Sequence, residues 1–137
     1  MNIYFAGAIR GGREDGALYQ ALISFLGQYG PVLTEHVGDE GLLRAEKKLT
    51  EGEIFDRDMA WLNQADVVVA EVTSPSLGVG YELARAEQLG KRVLCLFRSD
   101  SQRDLSAMVA GNTGFQVECY RDLDDACGRI SQFLDGA

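Results

Sequence analysis

The sequence predicts a single α/β domain: a doubly wound, flavodoxin-like sheet of five parallel strands with helices on both faces. Three observations predict it. Short apolar runs rich in β-branched residues alternate with stretches of helical spacing along the whole chain. The central run, Ala65-Asp66-Val67-Val68-Val69-Ala70-Glu71-Val72, shows little polar alternation, as expected of a strand covered on both faces. The 137 residues are enough for one sizeable core and too few for two ordinary ones, so residues 1–137 read as one domain.

Taken in order, Ile3–Ala6 is the first strand, followed by a loop with three glycines and two arginines, Gly7-Ala8-Ile9-Arg10-Gly11-Gly12-Arg13. A helix is expected over Gly16–Tyr29, closed by Gly30-Pro31, and a second strand over Val32–Thr34. Between His36 and Lys48, Gly38, Gly41 and mixed charges weaken any helical pattern and suggest a mobile loop near the ligand. Next come a helix over Thr50–Gln64, the central strand Val67–Val72, and a helix over Val79–Leu89 that Gly90 ends. Val93–Phe97 and Phe115–Tyr120 supply the last two strands, with a short helix near Leu105–Val109 between them and a final one over Leu123–Leu134.

Composition excludes some classes of partner. Lys and Arg total 13 against 21 for Asp and Glu, a net charge of -8 that argues against binding a nucleic-acid polymer or an anionic membrane. An anionic ligand must then be small and locally held. No apolar run approaches the roughly 20 residues that span a bilayer, and the N-terminus has no basic leader pattern. The expected location is the cytoplasm, or also the nucleus in a eukaryote. Cys95, Cys119 and Cys127 show no metal-binding spacing and read as buried, reduced thiols.

The chemistry is expected beyond the carboxyl ends of the strands, at the point where strand order reverses. Two loops stand there. The Gly7–Arg13 loop can bring backbone and guanidinium groups to a phosphate, although it matches neither a Walker A loop nor a dinucleotide fingerprint. The run Ser74-Pro75-Ser76-Leu77-Gly78-Val79-Gly80-Tyr81-Glu82 leaves the central strand, turns through two glycines and enters a helix, so free N–H groups and the helix dipole suit an anion. Val79, Glu82, Leu83 and Ala86 follow i, i+3, i+4, i+7 spacing, which puts Glu82 on an inward stripe. Ile54, Phe55, Asp58, Trp61 and Leu62 do the same for Asp58. Each carboxylate alone could cap a helix or pair with an arginine. Together at one crevice they suit glycosyl transfer, with Glu82 as the nucleophile and Asp58 as the acid. Such a pair requires neither a metal nor a cofactor. The one histidine, His36, is either a solvated loop residue or a contact to a base or sugar, and it cannot form a zinc site alone.

These same stretches, with Tyr4-Phe5-Ala6-Gly7-Ala8-Ile9-Arg10-Gly11-Gly12-Arg13, Leu33-Thr34-Glu35-His36-Val37 and Leu94-Cys95-Leu96-Phe97-Arg98, closely resemble the 2'-deoxynucleoside 5'-monophosphate N-glycosidase (Rcl) family of the nucleoside 2-deoxyribosyltransferase superfamily. The resemblance covers nearly the whole chain. It implies hydrolysis of the N-glycosidic bond of deoxynucleoside monophosphates to free base and 2-deoxyribose 5-phosphate. It further implies that Glu82 forms a deoxyribosyl-enzyme intermediate, that Asp58 is its acid/base partner and that Tyr4 orients the carboxylate. Ser76, the backbone at Gly78, and Arg10 with Gly7 and Gly11 match the family's phosphate positions. Ser106 matches a serine that the family contributes from the neighbouring subunit, which implies a homodimer with shared active sites. Ile9, His36, Ile54 and Met108 would contact the base or sugar. Ala8 stands where mammalian members carry serine, and the segment around Gly38–Lys48 differs, which bears on base preference. Two other functions compete with the hydrolase: a nucleoside 2-deoxyribosyltransferase, and a nucleotide-binding module without turnover.

Overall fold

The computed structural model describes residues 1–9, 13–36 and 49–136, with the backbone alone at 13 and 14. The expected loop at 37–48, and Arg10, Gly11 and Gly12 of the first loop, lie outside the described residues. In chain order the elements are β1 (Ile3–Gly7), α1 (Arg13–Leu26), β2 (Val32–Leu33), α2 (Glu51–Gln64), β3 (Val67–Glu71), α3 (Leu77–Gln88), β4 (Arg92–Arg98), α4 (Ala107–Ala110), β5 (Gln116–Tyr120) and α5 (Leu123–Asp135). The strands form one sheet in the order β2-β1-β3-β4-β5, and every pairing is parallel. This is the predicted architecture.

Side-chain alternation divides the core into two layers. Ile3 and Phe5 of β1 and Val67 and Val69 of β3 face one side, where Tyr19, Leu22 and Leu26 of α1 and Ile130, Phe133 and Leu134 of α5 cover them. Tyr4 and Ala6, with Val68 and Ala70, face the other side, under Met59 and Leu62 of α2 and Val79, Leu83 and Ala86 of α3. β3 is buried at all five residues because both faces are covered, which is why it lacks polar alternation.

Handedness explains which helix goes where. Crossovers between parallel strands are right-handed, so a reversal of direction along the sheet changes the covered face. α1 carries the chain from β1 outward to β2, whereas α2 and α3 carry it back across β1 to β3 and on to β4. α2 and α3 therefore share one face and α1 takes the other. The two helices expected to bear carboxylates are neighbours by topology.

Local chemistry sets the boundaries. α2 begins with a capping box in which the Thr50 hydroxyl accepts from Glu53 N (3.1 Å) and the Glu53 carboxylate accepts from Thr50 N (3.1 Å). At the end of α3, Gly90 takes a left-handed φ of 72°, and at Gly30 (φ 154°) an added Cβ would collide with the Met1 carbonyl oxygen. α1 starts and stops about three residues ahead of its expected span, ending before Gly27-Gln28-Tyr29, which form a turn instead. α3 starts two residues earlier than expected because Ser76 caps it, its hydroxyl accepting from Val79 N at 3.3 Å. Gly78 and Gly80 thus belong to the helix rather than to a turn. The cysteines also differ from expectation: all three are free and Cys95 is buried, but Cys119 is exposed and Cys127 half-buried. Cys119 lies on β5, an edge strand of the sheet.

Candidate active site

A cleft of about 950 Å³ opens beyond the carboxyl ends of β1 and β3, where the strand order reverses. β1 ends in Gly7, β2 leads into Thr34-Glu35-His36, and β3 leads into Ser74-Pro75-Ser76, and all of these residues line it. α2 contributes Ile54, Phe55, Asp58 and Met59, and α3 contributes Leu77, Gly78, Val79, Tyr81 and Glu82.

The cleft is built around Tyr4. Alternation on β1 directs its side chain toward α2 and α3, and its hydroxyl donates a hydrogen bond to Glu82 Oε2. Burial, then the adjacent Glu82 carboxylate, push the Tyr4 pKa upward, so the phenol keeps its proton and remains a donor. Burial likewise pushes Glu82 up to about 7; the Tyr4 hydrogen bond acts in the opposite direction, and the Glu35 carboxylate adds to the rise. Glu82 is thereby poised between its two protonation states near neutral pH.

Asp58 is 7% exposed, and its Oδ1 accepts from Arg57 Nε at 3.1 Å. Arg57 also reaches Glu35 (3.5 Å) and lies over the Trp61 ring, 4.6 Å from its centroid. One guanidinium therefore ties together two of the cleft's carboxylates. The inward stripe of α2 is Asp58, Met59 and Leu62. Phe55, expected on that stripe, is exposed at the cleft mouth, where its ring meets Tyr81 edge-on at 6.0 Å.

His36 is not a solvated loop residue. Its Nε2 lies 3.2 Å from the Gly7 carbonyl oxygen and its backbone N–H donates to Thr34 Oγ1 at 3.2 Å. The ring sits edge-on to Tyr19 and Phe5, with centroids 5.2 and 6.1 Å away. Gly7 has a packing reason to be glycine: an added Cβ would press on the Tyr19 ring at 3.1 Å. At the other loop, Ser76 accepts from Val79 N and still has its own proton to donate. Leu77 and Gly78, in the first turn of α3, have N–H groups without intrahelical acceptors, and the bare Gly78 leaves that backbone open to the cleft. A glycine inside a helix costs about 1 kcal/mol against alanine, so Gly78 favours backbone access to the cleft over helix stability.

Of the sequence-predicted residues, Tyr4, Gly7, Ile9, His36, Ile54, Asp58, Ser76, Gly78 and Glu82 line one cleft. Ser106 and Met108 do not line the cleft of their own chain; Ser106 caps the short α4, its hydroxyl accepting from Met108 N at 3.3 Å. Arg10 and Gly11 fall outside the described residues. Sequence reasoning missed Glu35, Glu51, Asp15 and Arg103, which also line the cleft. Only position could have signalled them, since each follows a strand or begins a helix at the same end of the sheet.

Below the Ser74–Ser76 loop lies a buried polar network, also missed. The Glu71 carboxylate accepts from Thr73 N (2.7 Å), Thr73 Oγ1 (2.9 Å) and the Tyr120 hydroxyl. Thr73 Oγ1 in turn accepts from Arg98 N at 2.9 Å. Asp15 bridges Arg98 Nη1 (3.2 Å) and the Ser74 hydroxyl (3.1 Å). Burial raises the Glu71 pKa against these hydrogen bonds. The loop that leads into α3 is thus fixed at Thr73 and Ser74. Among the described residues, no group of three or more His, Cys, Asp or Glu side chains could hold a metal ion.

Comparison with known proteins bears on the fold and the family. Residues 3–124 match the family model for nucleoside 2-deoxyribosyltransferase. A mouse protein named 5-hydroxymethyl-dUMP N-hydrolase is 57% identical over 126 residues, covering 88% of this chain and 73% of the relative. The human protein of the same name is 50% identical over 138 residues, covering 97% and 76%. Among solved structures, a Clostridium botulinum CMP N-glycosidase shares the fold, with a TM-score of 0.69 at 15% identity over 97% of this chain and 99% of that one. The chain belongs to the nucleoside 2-deoxyribosyltransferase family.

Proposed function

We propose that the protein hydrolyses the N-glycosidic bond of 2'-deoxynucleoside 5'-monophosphates, releasing free base and 2-deoxyribose 5-phosphate. The observation that carries this reading is the convergence of Glu82, Asp58 and the Tyr4 hydroxyl on one cleft beside the open first turn of α3. The N-hydrolase names of relatives that are at least half identical support it.

The first step takes the enzyme with Glu82 ionised and Asp58 protonated: Glu82 attacks the anomeric carbon, and the bond to the base nitrogen breaks as Asp58 delivers its proton to the leaving base. Tyr4 releases its hold on the attacking oxygen as charge moves into the new ester. In the second step Asp58 takes a proton from water, the water oxygen bonds to the same carbon, and Glu82 leaves as carboxylate. Ser76 and the free N–H groups of α3 bind the 5'-phosphate, together with Arg10 and its glycine loop. Ile9, His36 and Ile54 surround the base, and the relatives' names make a modified uracil a candidate for it.

We further propose a homodimer in which Ser106 and Met108 reach the partner's cleft. Leu77 is 98% exposed at the cleft and Met108 84% exposed on α4, apolar surface that a second copy would cover. The three free cysteines fit a reducing compartment, which supports the cytoplasm.

The test is a panel of deoxy- and ribonucleoside monophosphates, including 5-hydroxymethyl-dUMP, with free base followed by chromatography. Base release by the wild type and none by Glu82→Ala is expected; release by neither, or equally by both, would sink the hydrolase. A new nucleoside on adding a second free base would reveal a transferase. Mixing Ser106→Ala with Glu82→Ala chains restores activity if sites are shared.

A further inference from the structure

Besides Arg10, which lies outside the described residues, the cleft needs positive charge of its own. Asp15, Glu35, Glu51, Asp58 and Glu82 all line it, so five carboxylates face a substrate that would itself be an anion. Among the described residues that line the cleft, Arg103 is the one lysine or arginine. Among the described residues, the nearby cations Arg57 and Arg98 are engaged with Glu35 and Asp58 and with Asp15 and Asp100 respectively. No ion pair of Arg103 occurs among the described residues.

Topology assigns Arg103 to one end of the cleft. It follows β4, and β4 lies next to β3 on the side away from β1 and β2. The segment leaving β4 is tied to the β3–α3 loop: Arg98 N donates to Thr73 Oγ1 at 2.9 Å, and the Arg98 guanidinium and the Ser74 hydroxyl both bind Asp15. A turn then closes with Ser101 N donating to the Arg98 carbonyl at 3.2 Å, two residues before Arg103. Arg103 therefore enters the cleft from the Ser74–Gly78 side, while Glu35 and His36 enter from the β2 side.

We propose that Arg103 is a specificity-determining residue that closes over the 5'-phosphate from the β4 side and selects the nucleotide over the unphosphorylated nucleoside. The proposal rests on the glycosidase reading, because that reading puts the phosphate at the start of α3. A guanidinium forks onto phosphate oxygens and adds the positive charge that the backbone N–H groups of α3 lack. Its exposure at the cleft mouth lets it engage the phosphate after entry.

The experiment is calorimetric binding of 2'-deoxyuridine 5'-monophosphate and of 2'-deoxyuridine to Glu82→Gln chains, which keep the ligand intact, with Arg103 present, changed to Ala or changed to Lys. Arg103→Ala should weaken monophosphate binding roughly tenfold or more and leave the nucleoside unchanged, because one charge-assisted contact to phosphate is lost. Arg103→Lys should recover part of the loss, since it keeps the charge but not the fork. Equal weakening of both ligands would reveal a merely structural loop residue and overturn the proposal, as would unchanged monophosphate affinity. Base release measured in parallel on chains that retain Glu82 keeps the two readings apart: selective phosphate binding through Arg103 without base release would refute the glycosidase and leave Arg103 in place.

Discussion

Replacing Glu82 with glutamine should make the protein more stable while abolishing its proposed chemistry, and the gain should depend on pH in a calculable way. An ordinary glutamate loses its proton near 4.5, whereas burial holds Glu82 up to about 7. Between those values the folded chain keeps a proton that the unfolded chain has released, so this group's contribution to stability falls as pH rises through the window. At about 1.4 kcal/mol per pH unit the gap amounts to about 3–4 kcal/mol, an upper bound since Glu82 is only half-buried. Glutamine keeps the shape and can still accept from Tyr4 without carrying a charge. Urea unfolding followed by the fluorescence of Trp61, the one tryptophan, should show Glu82→Gln increasingly more stable than wild type from pH 5 to pH 8, by about 2 kcal/mol at the upper end. Glu71, whose pKa is also raised, is common to both chains and cancels in the difference. A difference between the two chains that stays constant across this range would refute the reasoning, because it would mean that Glu82 is solvated like a surface carboxylate.

Three more outcomes follow from the same geometry. Tyr4→Phe removes the hydrogen bond that favours the ionised Glu82, so the pH at which base release switches on should move upward by about one unit, as measured by the acid limb of kcat/KM. Glu71→Ala leaves the buried Tyr120 hydroxyl and Thr73 N–H without their acceptor and should cost about 2–4 kcal/mol in urea unfolding, with faster amide exchange at Thr73. In the native protein Cys119 should react readily with a maleimide, as mass spectrometry of the labelled peptides would show. Cys95, whose thiol burial pushes up to about 12, should stay unlabelled until denaturant is added.

The fold was readable from sequence because its signals are local and repeated. The Val67-Val68-Val69-Ala70 run can only be a doubly covered strand, and Gly30 and Gly90 mark where the chain turns back. Glu82 and Asp58 were readable for a different reason: a carboxylate on an apolar helical stripe is locally inconsistent, and such inconsistencies concentrate at functional sites. Phe55 shows the limit of that pattern, since spacing places it inward whereas it stands exposed at the cleft mouth and meets Tyr81. The network of Glu71, Thr73, Tyr120, Arg98 and Asp15 left no mark on the sequence. Its members come from five separate elements or loops, and Tyr120 is 49 residues from the Glu71 it binds. No local window holds both partners of such a contact. Arg103 was missed likewise, because an arginine in a polar loop is ordinary until the sheet order shows which cleft it faces.

The contact between Tyr4 and Glu82 depends on two parities that must agree. Tyr4 pairs with Val68 and Ile3 with Val67, so even-numbered residues of β1 and β3 in this stretch face α2 and α3 together. A slip of one residue in β1 would send Tyr4 into the α1/α5 layer and leave Phe5, which carries no hydroxyl, opposite Glu82. On α3, moving the carboxylate to position 81 or 83 would turn it about 100° around the axis, off the side that meets Tyr4. The five-residue link from Val72 to Ser76 sets where α3 begins, and Thr73 and Ser74 within it are the residues held by the buried network. The network therefore bears on the Tyr4–Glu82 contact as well as on the Ser76–Gly78 end of the cleft. A variant such as Thr73→Val, which keeps the shape but loses the hydroxyl, should lower kcat/KM more than it lowers stability, a split measurable by pairing kinetics with urea unfolding. An activity that falls only in proportion to the folded fraction would show instead that the loop's geometry is fixed by packing alone.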